Sequence, residues 1–355
     1  MASGLIAAAS RALGRELRDL GGLGGSDRSG VHRAADGTGT VVVKSYIGGS
    51  LGSWARERVG LAVAGAVGVA PQLLAVADEP PLVVMEDLGA ASDVAAHLLG
   101  GDPHRADDAL VAWARALGRL HARTHADRAA IAHAFAEAEA AVEDVPLDRF
   151  QAGVRGSAEK ATADWATTAE ELGLEGPPDV AALAAGLADP AHHALSPADT
   201  CPDNNLLLPD GCRLIDFEWA EVRHPAWDAA YLAVPWPTCW CSWRIPDGSA
   251  DRAMEAYRLE ASQGIPYVGS EAFVADVEIA RTCWALVSVS WSLRTALREE
   301  QVPHPAGPGT RPRMQHRLGL VASSRTAAAD FADRVLEHTR RRWGDLALDL
   351  APAYR

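Results

Sequence analysis

Between residues 199 and 216 the chain reads Asp-Thr-Cys-Pro-Asp-Asn-Asn-Leu-Leu-Leu-Pro-Asp-Gly-Cys-Arg-Leu-Ile-Asp. Two short runs, Leu206 to Leu208 and Arg213 to Ile215, flank a Pro-Asp-Gly turn, which predicts a β-hairpin. A hairpin returns its two ends to one place. It therefore sets Asn204 beside Asp216, with Asp199 on the loop just before. Hard oxygen donors gathered in this way suit a magnesium ion on a nucleotide, with one carboxylate left over as a base.

Around the hairpin the pattern divides. Leu5 to Leu20 is apolar at helical spacing but carries Arg11, Arg15, Glu16, Arg18 and Asp19, which predicts an amphipathic first helix and not a signal peptide. A glycine-rich stretch (21–30) precedes a strand from Val31, a turn at Asp36 to Gly39 and a strand from Thr40 to Lys44. A helix is expected over 54–67, two strands over 72–77 and 82–85, and a polar connector at Glu86 to Gly89. Beyond that point helices dominate, at 129–143, 158–172, 226–233, 250–262, 270–299 and 322–341, with a Pro/Gly loop at 303–312. The expected fold is α+β and bilobal. Residues 1–88 form a small strand-rich nucleotide-binding lobe. Residues 89–355 form a larger helical lobe holding a catalytic loop (196–205), a metal-binding segment (213–218) and an acceptor pocket.

Composition narrows the function. The net charge of −14 makes nucleic acid a poor partner and favours a neutral or cationic small molecule. No apolar run reaches the roughly 18 residues a membrane span needs. Five cysteines, an odd number in a long chain, read as reduced thiols of a cytoplasmic protein. Cys239-Trp-Cys241 lacks a second Cys or His pair at zinc-ligand spacing, so no metal is expected there. Only two lysines occur, Lys44 and Lys160, against 31 arginines. A chain that writes Arg almost everywhere writes Lys in the middle of an apolar strand, where a compact ammonium differs from a guanidinium.

Each part fits phosphoryl transfer. The turn at Gly24, Gly25 and Ser26 would let backbone N–H groups reach phosphate oxygens. Lys44 would contact the α- and β-phosphates, and Glu57 on the next helix would hold it. Asn204 and Asp216 would carry magnesium, and Asp199 would accept the proton of a substrate hydroxyl. No Gly-Lys-Ser/Thr, Gly-x-Ser-x-Gly or His-Glu-x-x-His segment occurs. A strand and not a helix follows the glycines, which argues against a dinucleotide fold.

In this order the motifs resemble the aminoglycoside phosphotransferase and choline kinase-like family of small-molecule kinases. The likeness runs from about residue 18 to 300. It rests on Gly24-Gly-Ser-Asp, Val-Val-Val-Lys44, Glu57, Val-Ala-Pro71, Met85-Glu-Asp-Leu-Gly89, Leu-Gly-Arg-Leu-His121, Asp199-x4-Asn204, Ile-Asp216-Phe-Glu218 and His-Pro-Ala-Trp-Asp228. The resemblance implies Asp199 as catalytic base, Asn204 and Asp216 as magnesium ligands and Asp228 as a support of the loop. It implies ATP, or GTP, held at a linker containing Glu86 and Leu88. Two positions depart from the family pattern: Pro197 replaces the His of His-Gly-Asp, and Asp203 stands where Gly is common. In this fold the helical lobe supplies the acceptor pocket. Trp236 and Trp240 could form an aromatic wall there, and Asp203 and Glu218 could meet a cationic acceptor. The alternative, prompted by Pro197, is a catalytically impaired nucleotide-binding relative that acts as a regulatory or scaffolding module.

Overall fold

The computed structural model describes residues 2–25, 29–46, 51–142, 153–299 and 301–355. The first helix, α1 (Ala2–Leu13), is shorter than its apolar pattern suggests. Gly14 adopts φ +73°, a left-handed stop open to glycine, and β1 (Arg18–Gly25) begins four residues later. Gly21 to Gly25 of the glycine-rich stretch thus lie in a strand. It pairs antiparallel with β2 (Ser29–Ala35), with register shifts at Asp19/Gly21 and Gly22/Gly24. β3 (Thr40–Tyr46), α2 (Leu51–Ala66), β4 (Leu73–Asp78) and β5 (Pro81–Glu86) complete a five-stranded antiparallel sheet of order β1-β2-β3-β5-β4.

Strand alternation divides the sheet's two faces. Val41, Val43, Leu82 and Val84 turn outward and pack with Ile6, Ala9 and Leu17 in a small separate core. Val83 and Met85 turn inward and join Trp54 and Leu61 of α2 in the main core. On β3 the next inward position after Val42 is Lys44. Burying a lone charge among these side chains would cost several kcal/mol, so its partners must be near.

The chain then passes through β6 (Ser92–Asp93) and α3 (Val94–Leu98) into α4 (Pro103–Thr124), α5 (Arg128–Ala140), α6 (Gly153–Leu172) and α7 (Val180–Ala185). Asp93 and Asp102 cap α3 and α4 through their side chains, and Pro103 stands where its missing N–H costs nothing. Four short strands follow: β7 (Ala194–Ser196), β8 (Asn205–Leu208), β9 (Gly211–Leu214) and β10 (Glu221–Arg223). β8 and β9 are the expected hairpin, with β6 on its edge, and β7 pairs with β10. The rest is helical: α8 (Ala226–Ala229), α9 (Asp247–Ala261), α10 (Glu271–Ser290), α11 (Leu293–Arg298), α12 (Thr310–Ala322) and α13 (Ala329–Trp343). The single helix expected over 270–299 breaks at Trp291–Ser292, and the one expected over 322–341 is preceded by α12, whose Pro312 lies in its first turn. Among the described residues no helix is long and apolar enough to cross a membrane.

Two glycines set distances. A Cβ on Gly118 of α4 would lie 2.7 Å from the Tyr257 carbonyl of α9, so the central helix pair needs glycine there. A Cβ on Gly60 would lie 2.9 Å from Phe217 Cβ. That contact seats α2 directly on the segment after Asp216.

Candidate active site

Lys44 lies where the sheet meets the hairpin. Its Nζ is 3.0 Å from Glu57 Oε2 on α2, 2.5 Å from Asp216 Oδ1 and 3.4 Å from Glu218 Oε2. Burial works against the ammonium, but Asp216 and Glu57 outweigh it and hold the Lys44 pKa well above its ordinary value. Burial likewise pushes Glu57 up, with Lys44 opposing. Asp216 alone of these acids keeps about a third of its side chain exposed, at 35%, against 1% for Glu57. Its backbone is left-handed (φ +67°), an uncommon state for a non-glycine residue and one often found where function fixes the chain.

Cross-strand pairing aligns the glycine segment with this lysine. Gly24 pairs with Val31, Val31 with Lys44 and Lys44 with Val83, one row across the sheet. Two strand spacings of roughly 4.8 Å separate Gly24 from Lys44. Gly24 has φ +142°, which a side chain would strain, and Gly25 pairs with Gly30 at the strand end. Ser26 lies outside the described residues.

The hairpin closes as its sequence requires. Ile215 N–H donates to the Asn204 carbonyl at 2.9 Å, and Asn204 Nδ2 donates to the Asp199 carbonyl at 3.1 Å. Asn204, Asp199 and Asp216 therefore meet at the open end. Asp199 Oδ1 accepts from Thr238 Oγ1 at 2.8 Å. Burial raises its pKa to about 6, with hydrogen bonds from Cys201 and Thr238 opposing.

The loop is braced without the missing histidine. Asp199 N–H donates to the Pro197 carbonyl at 2.9 Å across Ala198, whose φ is +65°, a strained three-residue turn. The Ala198 carbonyl accepts from Arg223 and from Tyr231 Oη, each at 3.1 Å. Arg223 also pairs with Asp228. That fully buried carboxylate takes Ser196 Oγ at 2.9 Å and His121 Nε2 at 3.0 Å as well. Burial alone would raise Asp228; Arg223 and His121 hold it at about 2.

Residues 22–264 match the profile of the phosphotransferase enzyme family, well over half of the chain. The chain belongs to that family. A Ralstonia eutropha structure, provisionally assigned as an aminoglycoside phosphotransferase, aligns with this phosphotransferase at a TM-score of 0.52 and 14% identity, over 96% of this chain and 98% of that one. An ethanolamine kinase from Plasmodium vivax aligns at a TM-score of 0.51 and 9% identity, over 89% and 84%. At such identities the likeness is one of fold, the bilobal α+β arrangement of protein kinases. No curated protein matches the phosphotransferase.

Two expectations on the acceptor side need revision. Trp236 is fully buried, with its ring edge-on to Trp113 at 5.0 Å, so it is core and not wall. Glu218 faces Lys44, not an acceptor. Trp240 is part-exposed, and its Nε1 donates to Asp203 Oδ2 at 2.9 Å. At the linker, the exposed Glu86 accepts the Gln72 N–H at 3.2 Å, and Leu88 lines an open cavity of about 460 Å³ with Leu208 and Arg213. Ser196, Arg223, Tyr231 and Thr238 were not anticipated as supports of the phosphotransferase loop. The Arg223/Asp228 spacing of five residues was the signal within reach.

Proposed function

We propose that this chain transfers the γ-phosphoryl group of ATP, or of GTP, to a hydroxyl of a small molecule. The observation that carries the reading is Lys44 Nζ joined to both Glu57 and Asp216, with Asn204 and Asp199 at the same hairpin end. Asn204 and Asp216 offer hard amide and carboxylate oxygens, and the left-handed backbone of Asp216 aims its carboxylate at Lys44 with part of it exposed. That donor set fits magnesium. When bound, magnesium would neutralise charge on the phosphates.

Lys44 would leave Asp216 for phosphate oxygens while Glu57 keeps its ammonium charged and oriented. The backbone at Gly24 and Gly25 would approach the same phosphates. Asp199, held by Thr238, would orient the acceptor hydroxyl and accept its proton at the carboxylate. The acceptor class that fits the −14 charge is neutral or cationic: an amino sugar, an aminoglycoside-like compound, an amino alcohol or a nucleoside-type metabolite.

A reading as an inactive relative would need a displaced loop, and the Asp228–Arg223–Ser196 brace argues against one. The test is ADP release with ATP and magnesium across a panel of those acceptors. Turnover above the acceptor-free rate, abolished by Asp199→Ala, supports the proposal. Nucleotide binding with no transfer to any of them would favour the inactive reading.

A further inference from the structure

Next to the catalytic loop, thiols and a carboxylate converge that the proposed chemistry does not use. Cys201 lies on the loop and Asp203 two residues on, in the 3-10 turn Pro202–Asn204. Cys239 arrives from the segment after Trp236. Two sulfurs and one carboxylate oxygen from these residues all lie within 4.8 Å of one another. Cys201 and Cys239 are buried and Asp203 is half-buried, so the cluster is walled on the sulfur side and open on the carboxylate side.

The carboxylate is already oriented. Trp240 Nε1 holds Asp203 Oδ2 at 2.9 Å, and Oδ1 lies 3.8 Å from Cys239 Sγ. Ligand atoms on a tetrahedral zinc, at bond lengths near 2.3 Å for sulfur and about 2.0–2.2 Å for oxygen, stand roughly 3.5–3.8 Å apart. A further thiol is at hand, since Cys241 Sγ is 3.0 Å from Cys239 Sγ. That gap is too long for a disulfide of about 2.05 Å.

Charge is consistent with such a site. Two thiolates and a carboxylate around a dication leave one excess negative charge. Arg313 and Arg317 of α12 are cations near Cys239.

We propose that Cys201, Asp203 and Cys239 bind a borderline-soft divalent cation, zinc being the best fit, with the fourth position left to water. Cys201 and Cys239 lose their protons to solvent on binding. The ion ties the loop carrying Asn204 to the segment carrying Thr238, and so positions Asp199 from both sides. It is separate from the magnesium ligands and independent of which acceptor is used.

The test is titration of the reduced full-length protein with Co²⁺ alone. We expect a cobalt–thiolate charge-transfer band that saturates at an equimolar ratio and is displaced by Zn²⁺. Cys201→Ser and Cys239→Ser should each lose the band, and Cys283→Ser, a buried thiol elsewhere, should keep it. Trp240→Phe frees Asp203 and should weaken Co²⁺ binding about 10–100-fold while the fold stays intact by circular dichroism. Zn²⁺ alone should raise the melting temperature of the parent but not of Cys201→Ser. Absence of the band in the parent, or its survival in both single variants, overturns the proposal. So does a Cys239–Cys241 disulfide in the protein as purified, which would assign the pair to redox chemistry.

Discussion

Two buried ionic clusters flank the catalytic loop, and they are built to opposite ends. Around Asp228 the groups are enclosed: the carboxylate and Arg223 are at most 4% exposed, Arg223, His121 and Ser196 each bond to it, and their remaining bonds go to protein partners such as Ala198, Tyr257 and Glu221. Around Lys44, three acids share one ammonium, and Asp216 is part-exposed. A closed network fixes geometry. An open, over-acidic one leaves room for an exchange of partners, as the proposed transfer would need. Asp199 links the two: Arg223 holds the carbonyl of the preceding Ala198, and the Asp199 carbonyl accepts from Asn204, whose own carbonyl accepts the Ile215 N–H beside Asp216.

Breaking the link between them gives the largest effect. Asp199→Asn should lower kcat about 10²–10⁴-fold with nucleotide affinity unchanged, as read by steady-state kinetics and a nucleotide thermal-shift titration. Similar kcat for variant and parent would remove Asp199 from the chemistry. In the closed cluster, Asp228→Asn leaves buried Arg223 with Glu221 but without its second acid, and should cost about 1–3 kcal/mol of stability in denaturant unfolding. A variant as stable as the parent would show that the brace is not buried and satisfied as described.

Lys44→Met tests the open cluster. With the ammonium gone, the Glu57 carboxyl, already raised by burial, rises further. A carboxyl raised in the folded state contributes stability below its unfolded pKa and loses it as pH climbs through the folded one. The variant should therefore lose melting temperature relative to the parent as pH climbs above the ordinary glutamate pKa of about 4.3. A loss that grows instead on acidification would refute this arrangement. Smallest is a pH effect on the parent. Asp199 must be ionised to accept a proton, and its pKa is raised to about 6. The kcat/KM for the acceptor should fall about tenfold per pH unit below that value. A flat profile down to about pH 5 would assign the base elsewhere.

Much of the frame is legible in contiguous residues. The Asp199–Asp216 hairpin, the strand alternation that puts Lys44 inward and the helix over 54–67 all follow from short-range periodicity and turn chemistry. The first helix misled because Leu17 and Leu20 keep an apolar spacing past Gly14, where the backbone turns left-handed. Trp236 misled for another reason. A tryptophan in Pro-Trp-Pro-Thr-Cys-Trp looks like a surface aromatic wall, and only Trp113, more than a hundred residues earlier, makes it core.

By itself, the sequence determined which elements form and which residue types stand at the candidate site, because those choices depend on neighbours a few positions away. Tertiary structure alone decided the pairings: Lys44 with Asp216 across 172 residues, Asp199 with Thr238 across 39, and Cys239 with Asp203 across 36. Contacts of that range depend on how helices and sheet close-pack, as where Gly60 admits Phe217, and no local pattern records it.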